Sequence, residues 1–432
     1  MLPQSQFTVV APIAPDREAS LRQLLDTMNS APGVADPGNA VLPFGQFDRL
    51  HFARLVVLND ATMVDLELCG LPRPSLPNYL AFLGDCDGSR GECLADLSRR
   101  AGEGLRRLFA HCEGFDAGED VLSWMLDHNL PVAANYVNWI GRTVAQIREE
   151  SALQRLLSAR VPRDAPATGG DAQRIRNDLT AMVEAEVRAG RLALTPPEPT
   201  PPAWRVSNLL HAVGIPLVGL LVLPLLIVSL PFLLIALRKR EISDPELAQR
   251  PRPEALRVMR LLEDRGVTNQ FTALGAVKPG LFRRWLVTVL LVLIDYSCRH
   301  VFNRGYLARV QTIHFARWVF LDDKSRVVFA SNYDGGHEAY MDDFINKVAW
   351  GLNLVFSNGL GWPKTDWLIK RGARREQSFK YYQRRHQLPS QVWYKAYPGL
   401  TLIDIRRNQR IREGLQPASM SDEQALAWLK LL

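Results

Sequence analysis

The tetrapeptide His51-Phe52-Ala53-Arg54 recurs as His314-Phe315-Ala316-Arg317, and this repeated sequence is decisive for the fold. Two further blocks recur in the same order, each without a gap. Their matched positions include Asp87, Gly88, Gly104, Phe109 and Gly114 with Asp334, Gly335, Gly351, Phe356 and Gly361, then His128, Leu130, Pro131, Tyr136 and Thr143 with His386, Leu388, Pro389, Tyr394 and Thr401. Three collinear blocks, spaced by about 250–260 residues and so too far apart for a solenoid, predict two homologous α+β units. We expect the units to face each other and to build one site between them.

The second copy has clear local patterns. Residues 313–321 and 327–331 are typical of a hairpin, and 313–321 is apolar on both faces, as in a covered strand. Residues 338–356 and 376–385 have helical patterns, and residues 391–397 are typical of a further strand. This order resembles a ferredoxin-like unit. The predicted fold class is α+β, with tandem duplicated ferredoxin-like units pairing into one body and a hydrophobic helical membrane insert between them.

The repeats and the composition divide the chain into six parts. These are a loose N-terminal lead-in (1–46), α+β repeat 1 (47–157), a helical and Pro-rich connector (158–204), a hydrophobic membrane-associating insert (205–305), α+β repeat 2 (310–415) and a C-terminal helix (416–432).

The insert contains residues 213–237, which carry no charge and are long enough to span a bilayer as a helix. Pro216, Pro224 and Pro231 interrupt this run and disfavour a straight helix. The second apolar segment, 285–294, is too short for an independent span. These features favour a monotopic insert that enters the membrane from one side, while two spans, or one span that separates the repeats, remain alternatives.

The charges of residues 238–284, with 11 Lys/Arg against 6 Asp/Glu, predict that this stretch stays in the cytoplasm. No N-terminal signal peptide is visible. We therefore expect the inner (cytoplasmic) membrane as location, with both repeats facing the cytoplasm and anionic lipid headgroups as partners. No zinc finger, RNP motif or long basic helix predicts a nucleic-acid partner. The five cysteines lack CxxC or zinc spacing, which predicts reduced thiols and no metal site.

Arg54 and Arg317 are the most informative polar residues, because each lies on a strand whose two faces are mainly apolar. A buried guanidinium needs a partner, and the predicted pairs are Arg54 with Asp87 and Arg317 with Asp334. Two roles stay open for these four side chains. They brace the turn between hairpin and helix, or they are catalytic.

Three histidines are further candidates. His51 and His314 are satisfied core histidines, haem or metal ligands, or acid–base groups. His337 has no counterpart in the first copy and is expected on an exposed loop after Asp334. This asymmetry makes His337 a catalytic candidate beside its reading as an exposed bystander.

Gly84-x-x-Asp87-Gly88 resembles the GxxDG motif of dye-decolorising peroxidases, which are also built from two ferredoxin-like halves. That resemblance implies that Asp87, helped by an arginine, handles peroxide above a haem held by a histidine. The second copy departs from the motif, because Ser331 replaces the first glycine. The whole chain also resembles uncharacterised bacterial membrane-associated proteins with duplicated HFAR and SNxDG blocks, a resemblance that implies no reaction.

Three functions follow from these observations. The first is a membrane-attached enzyme, haem-dependent and peroxidase-like if the resemblance holds, that acts on an apolar or lipid-phase substrate in the cleft between the repeats. The second is a non-catalytic membrane-bound lipid-binding or scaffold module. The third is a soluble-type peroxidase that is merely tethered.

Overall fold

A computed structural model describes residues 2–116, 118–138, 141–161, 172–247, 249–303, 305, 307, 309–417 and 419–432. Helices hold 50% of the chain and strands 20%, so the protein is mixed α/β with several sheets. The strands are β1 (Gln4–Pro12), β2 (Asn29–Ala31), β3 (Val34–Ala35), β4 (Leu50–Leu58), β5 (Tyr79–Asp87), β6 (Val132–Val137), β7 (Thr268–Ala276), β8 (Ile313–Leu321), β9 (Arg326–Asp334), β10 (Thr365–Asp366), β11 (Lys370–Arg371) and β12 (Val392–Lys395).

The α-helices surround two four-stranded sheets. They are α1 (Glu18–Asp26), α2 (Val64–Leu68), α3 (Arg90–Phe109), α4 (Val121–Asp127), α5 (Val144–Ser158), α6 (Ala172–Arg188), α7 (Pro202–Ser243), α8 (Pro253–Leu262), α9 (Leu281–His300), α10 (His337–Phe356), α11 (Glu376–His386), α12 (Leu402–Glu413) and α13 (Asp422–Leu429). The strand predicted at 313–321 and the helices predicted at 338–356 and 376–385 are confirmed by β8, α10 and α11.

The two large sheets exchange their last strands. One has the order β1-β5-β4-β12 and the other β6-β8-β9-β7, and all their neighbours are antiparallel. Thus β12, from the C-terminal half, completes the sheet of the N-terminal half, and β6 does the reverse. The exchange links the two halves through backbone hydrogen bonds in both sheets.

The segments that lead into the exchanged strands close the remaining edges. Before β6, the amide of Leu130 donates to Thr8 O of β1 at 2.9 Å. Before β12, the amide of Leu388 donates to Thr272 O of β7 at 2.8 Å. The two sheets are therefore joined at both sides into a ring of strands, which leaves few exposed strand edges.

Matching irregularities occur in the two halves. The long helices α3 and α10 both leave helical geometry at aligned residues, Ala101 (φ −131°, ψ 24°) and Val348 (φ −139°, ψ 23°). Thr143 and Thr401 both form capping boxes, at the starts of α5 and α12. These pairs agree with the sequence alignment, while the assignment of each half as a ferredoxin-like unit stays a prediction.

The structure corrects two domain boundaries. Residues 1–46 are not a loose lead-in, because they contain β1, whose residues Phe7 and Val9 are fully buried. The predicted insert, 205–305, contains β7, which pairs with β9 along its whole length. The sequence analysis did not predict β1 and β7 as strands of the repeats, because their short apolar patterns were assigned to the lead-in and to the insert.

Among the described residues, one helix, α7, has the length and apolar composition to cross a membrane. Its most apolar window has a mean hydropathy of 2.9, and 6% of that window is buried against the rest of the protein. The predicted second apolar segment, 285–294, lies within α9, which buries Val287 and Leu291 against the body and exposes Trp285 and Leu293.

Candidate functional site

Arg54 extends from β4 to the opposite sheet. Its Nη1 donates to Phe271 O at 2.9 Å and to Thr272 Oγ1 at 2.8 Å, both on β7. Its Nη2 donates to Ser331 O at 3.0 Å and to Asn332 Oδ1, both on β9. One guanidinium therefore ties together two strands that belong to the other half of the chain.

Arg317 makes the reciprocal connection from β8. Its Nη1 donates to Phe7 O at 2.6 Å, and its Nη2 donates to Gly84 O at 3.1 Å and forms an ion pair with Asp85. Both arginines are 3% exposed. Both guanidinium groups are therefore enclosed between the two sheets.

The predicted pairs of Arg54 with Asp87 and of Arg317 with Asp334 are wrong. Each arginine crosses to the other sheet, where backbone carbonyls already converge, whereas each aspartate turns toward a histidine of its own sheet. The carboxylate that pairs with the Arg317 guanidinium is that of Asp85. Burial lowers the pKa of Arg54 to about 9, an effect that the nearby Asp85 carboxylate opposes and Arg317 reinforces.

Asp87 and Asp334 are helix-capping residues. Asp87 Oδ1 lies 2.8 Å from His51 Nε2, and Asp87 Oδ2 accepts from the amide of Val144, the first residue of α5, at 2.8 Å. Asp334 Oδ1 lies 2.7 Å from His314 Nε2, and Asp334 Oδ2 accepts from the amide of Leu402, the first residue of α12. The carboxylates therefore satisfy helix N-termini, which favours the structural role over the catalytic one.

His337 is not on an exposed loop. It is the first residue of α10 and is 1% exposed. Burial lowers its pKa to about 4, helped by the neighbouring Arg384 and opposed by Glu263. A neutral, enclosed imidazole at this position is not available to a substrate.

The histidines proposed as haem ligands do not fit that role. His51 is fully buried, and its two ring nitrogens already contact Asp87 Oδ1 and, at 3.0 Å, the hydroxyl of Tyr397. His314 is 2% exposed and packs against the rings of Phe52 and Tyr397. Both ring nitrogens of His51 are therefore occupied, and Nε2 of the buried His314 is held by Asp334.

An apolar pocket lies outside the second sheet, between α9 and α10. Its volume is about 190 Å³. Its base is formed by Trp318 and Phe329, which are buried, and its mouth by Leu293 and Trp350, which are 51% and 45% exposed. The polar groups in its lining include Ser297 and Cys298, and the described lining residues include no Asp, Glu, His, Lys or Arg.

The pocket adjoins an outer apolar surface, defined as the exposed apolar side chains of residues 213–235 in α7 and of the outward face of α9. On α9 these are Leu281, Trp285, Val289, Val292 and Leu293. Leu293 belongs to both this surface and the pocket mouth. The pocket is thus accessible from the side of the molecule that is least compatible with water.

Sequence reasoning missed the residues that receive the arginines, although a signal for them exists. Gln6-Phe7-Thr8 recurs as Gln270-Phe271-Thr272, in β1 and β7. It also missed that Asp85 and Asn332 are aligned positions with different charge. The pocket carries no comparable motif, because its residues are ordinary apolar positions of two helices and a sheet.

No protein-family model matches this chain, and no curated protein matches it.

Proposed function

We propose that this protein is a membrane-attached lipid-binding module, built from tandem duplicated ferredoxin-like units, that holds an apolar ligand between α9 and α10. The observation that carries the proposal is the pocket of about 190 Å³ with apolar walls, opening beside the outer apolar surface. A ligand that leaves a bilayer there would remain in apolar surroundings, which supports a lipid chain as occupant.

The attachment of α7 supports a monotopic insertion. Near its start, Asn208 Oδ1 accepts from Arg299 Nε of α9 at 2.8 Å. Near its end, Glu241 accepts from the amide of Leu368 at 2.8 Å and from Thr365 Oγ1 at 2.9 Å. A spanning helix places its ends on opposite sides of a hydrocarbon core of about 30 Å. Both ends of α7 are held by the same body, which favours entry from one side.

Basic and aromatic side chains surround the outer apolar surface. Arg240 lies over the ring of Phe282, and Trp367 is 46% exposed beside Arg238. Such residues suit the headgroup region of an anionic membrane. We place the body on the cytoplasmic side, because residues 238–284 carry more Lys and Arg than Asp and Glu. Protease added to intact spheroplasts should then leave the chain uncut, and digestion from outside would contradict this orientation.

The experiment for the pocket uses Gly351→Phe. Gly351 lines the pocket, and a Cβ atom there would meet nothing within 4 Å, so a larger side chain can fill the space without a clash at its first atom. Gly102→Phe is the matched control, because Gly102 is also helical with open space around it. Native mass spectrometry should find lipid bound to the wild type and the control but not to Gly351→Phe. Equal lipid content in all three proteins would refute the pocket as the binding site.

A further inference from the structure

A second, polar cavity occurs where β4 ends. This groove has a volume of about 370 Å³ and lies between the segment after β4, the segment before α8 and the end of α11. Five arginines line it, Arg22, Arg250, Arg252, Arg384 and Arg385. The acidic side chain in its lining is Asp60. The groove is therefore lined by charged side chains, unlike the apolar pocket.

Three of these arginines have partners. Arg22 pairs with Glu18 at 2.8 Å, Arg385 with Asp65 at 2.6 Å, and Arg384 with Glu263. Arg250 and Arg252 are exposed and form no ion pair with the part of the chain that the structure describes. Two uncompensated guanidinium groups in the lining of one groove match a doubly charged oxyanion better than a single carboxylate.

Asp60 provides a second, independent sign of a ligand. It is 7% exposed, and its Oδ1 accepts from the amide and the hydroxyl of Thr62 at 2.9 and 2.6 Å. Its Oδ2 is buried and has no hydrogen-bond partner among the described residues. A buried carboxylate oxygen without a donor is unfavourable unless something else supplies one. A hydroxyl group of a ligand in the groove would do so.

The groove is also specific to one half of the molecule. In the N-terminal half, β4 and β5 are joined by residues 59–78, which contribute Asn59, Asp60, Ala61, Thr62 and Val64 to the lining. In the C-terminal half, the aligned strands β8 and β9 are joined by the short turn at 322–325. The contacts of the two arginines between the sheets and the histidine–aspartate contacts occur in both halves. The groove, in contrast, depends on residues 59–78, which have no counterpart of similar length in the C-terminal half.

We propose that this groove binds a small phosphorylated molecule that also carries a hydroxyl group. The phosphate lies on Arg250 and Arg252, and the hydroxyl donates to Asp60 Oδ2. This inference is independent of the lipid pocket, from which the groove differs in every lining residue. The phosphate can come from a soluble metabolite or from a lipid headgroup, and the two sources are separable.

The test is isothermal titration of the full chain in detergent with glycerol 3-phosphate, inorganic phosphate and glycerol. Glycerol 3-phosphate should bind saturably and more tightly than phosphate, and glycerol should not bind. Arg250→Ala/Arg252→Ala should weaken the binding of glycerol 3-phosphate at least tenfold. Arg90→Ala/Arg107→Ala, which removes two exposed arginines of α3, should leave it unchanged.

Asp60→Asn distinguishes a ligand contact from a purely electrostatic effect. Because this change removes a negative charge, it should not weaken the binding of inorganic phosphate. The affinity for glycerol 3-phosphate, however, should fall to that for inorganic phosphate. Absence of saturable binding by the wild type, or equal losses in the two double-arginine variants, would overturn the proposal. If glycerol 3-phosphate displaces the protein from phosphatidic acid vesicles but not from phosphatidylcholine vesicles, the source is a headgroup. If glycerol 3-phosphate displaces the protein from neither kind of vesicle, the ligand is a soluble molecule.

Discussion

Asp85 is a buried position at which the two halves of the molecule differ in charge. It pairs with Arg317, accepts from Gln6 Nε2 at 2.9 Å and accepts from Asn332 Nδ2 at 2.9 Å. Asn332 is the aligned position of the other half and contacts Arg54. One carboxylate therefore serves two buried guanidinium groups, and its removal should be costly.

Asp85→Asn is expected to destabilise the fold by ~3–5 kcal/mol, since Arg317 then stays buried without a charged partner. Asn332→Asp should also destabilise it, because the new carboxylate would face Asp85. The double exchange should recover most of the loss, as the carboxylate at position 332 then pairs with Arg54. The free energy of unfolding of the wild type, the two single variants and the double variant is measured by urea unfolding in detergent, followed by near-UV circular dichroism. Simple additivity in the double variant would contradict this account.

His337 predicts how stability depends on pH. Its folded pKa of about 4 lies below the ordinary value of 6.5, so the unfolded chain binds the proton first. The free energy of unfolding should therefore be fully retained above pH ~6.5 and decrease as the pH falls toward ~4, by about 3 kcal/mol from this group. His337→Gln should lose less stability on acidification than the wild type. His111→Gln, at a partly exposed site, is the control and should follow the wild type.

At the scale of elements, α7 and the exchanged strands are the distinctive parts. The apolar middle of α7 is exposed although a buried environment would stabilise it by roughly 25 cal/mol per Å² of apolar surface. Its two ends are fixed by polar contacts with α9 and with the β10–β11 region. A helix with anchored ends and an uncovered apolar middle is suited to a membrane surface.

Leu221→Lys/Ile227→Lys/Phe232→Lys should move the protein from the membrane fraction to the soluble fraction. The three residues are 71%, 63% and 72% exposed on α7, so charges there oppose insertion without disturbing the core. The matched control is Leu68→Lys/Leu126→Lys/Val187→Lys, at exposed apolar positions outside α7. Vesicle flotation should show at least a tenfold loss for the α7 variant alone. Equal partitioning of both variants would exclude α7 as the attachment.

At the scale of the whole molecule, the exchange of β6 and β12 makes each half depend on the other. Without its partner, each half lacks one strand of its own sheet and exposes the strand that it normally donates. Arg54 and Arg317 would also lose the carbonyl groups that accept from them. The two halves should therefore form one cooperative unit rather than two independent domains.

Residues 1–200 and 201–432, produced separately, should each be insoluble or unfolded. When they are produced together, they should copurify as a complex with the circular dichroism of the intact chain. The cut lies between α6 and α7 and removes no residue of either sheet. Two halves that each fold as a stable monomer would show that the exchanged strands are dispensable.

The sequence by itself determined the α+β class, the apolar helix, the hairpin at 313–321 and 327–331, and the burial of Arg54 and Arg317. These properties follow from local periodicity and from repeated residues. The partners of those arginines, the burial of His337, the apolar pocket and the groove were decided by the tertiary structure. The physical reason is that an alternating pattern specifies which face of a strand is buried, but not which strand supplies its hydrogen bonds. Once β6 and β12 exchanged sheets, side chains expected to pair within one repeat met the other repeat instead.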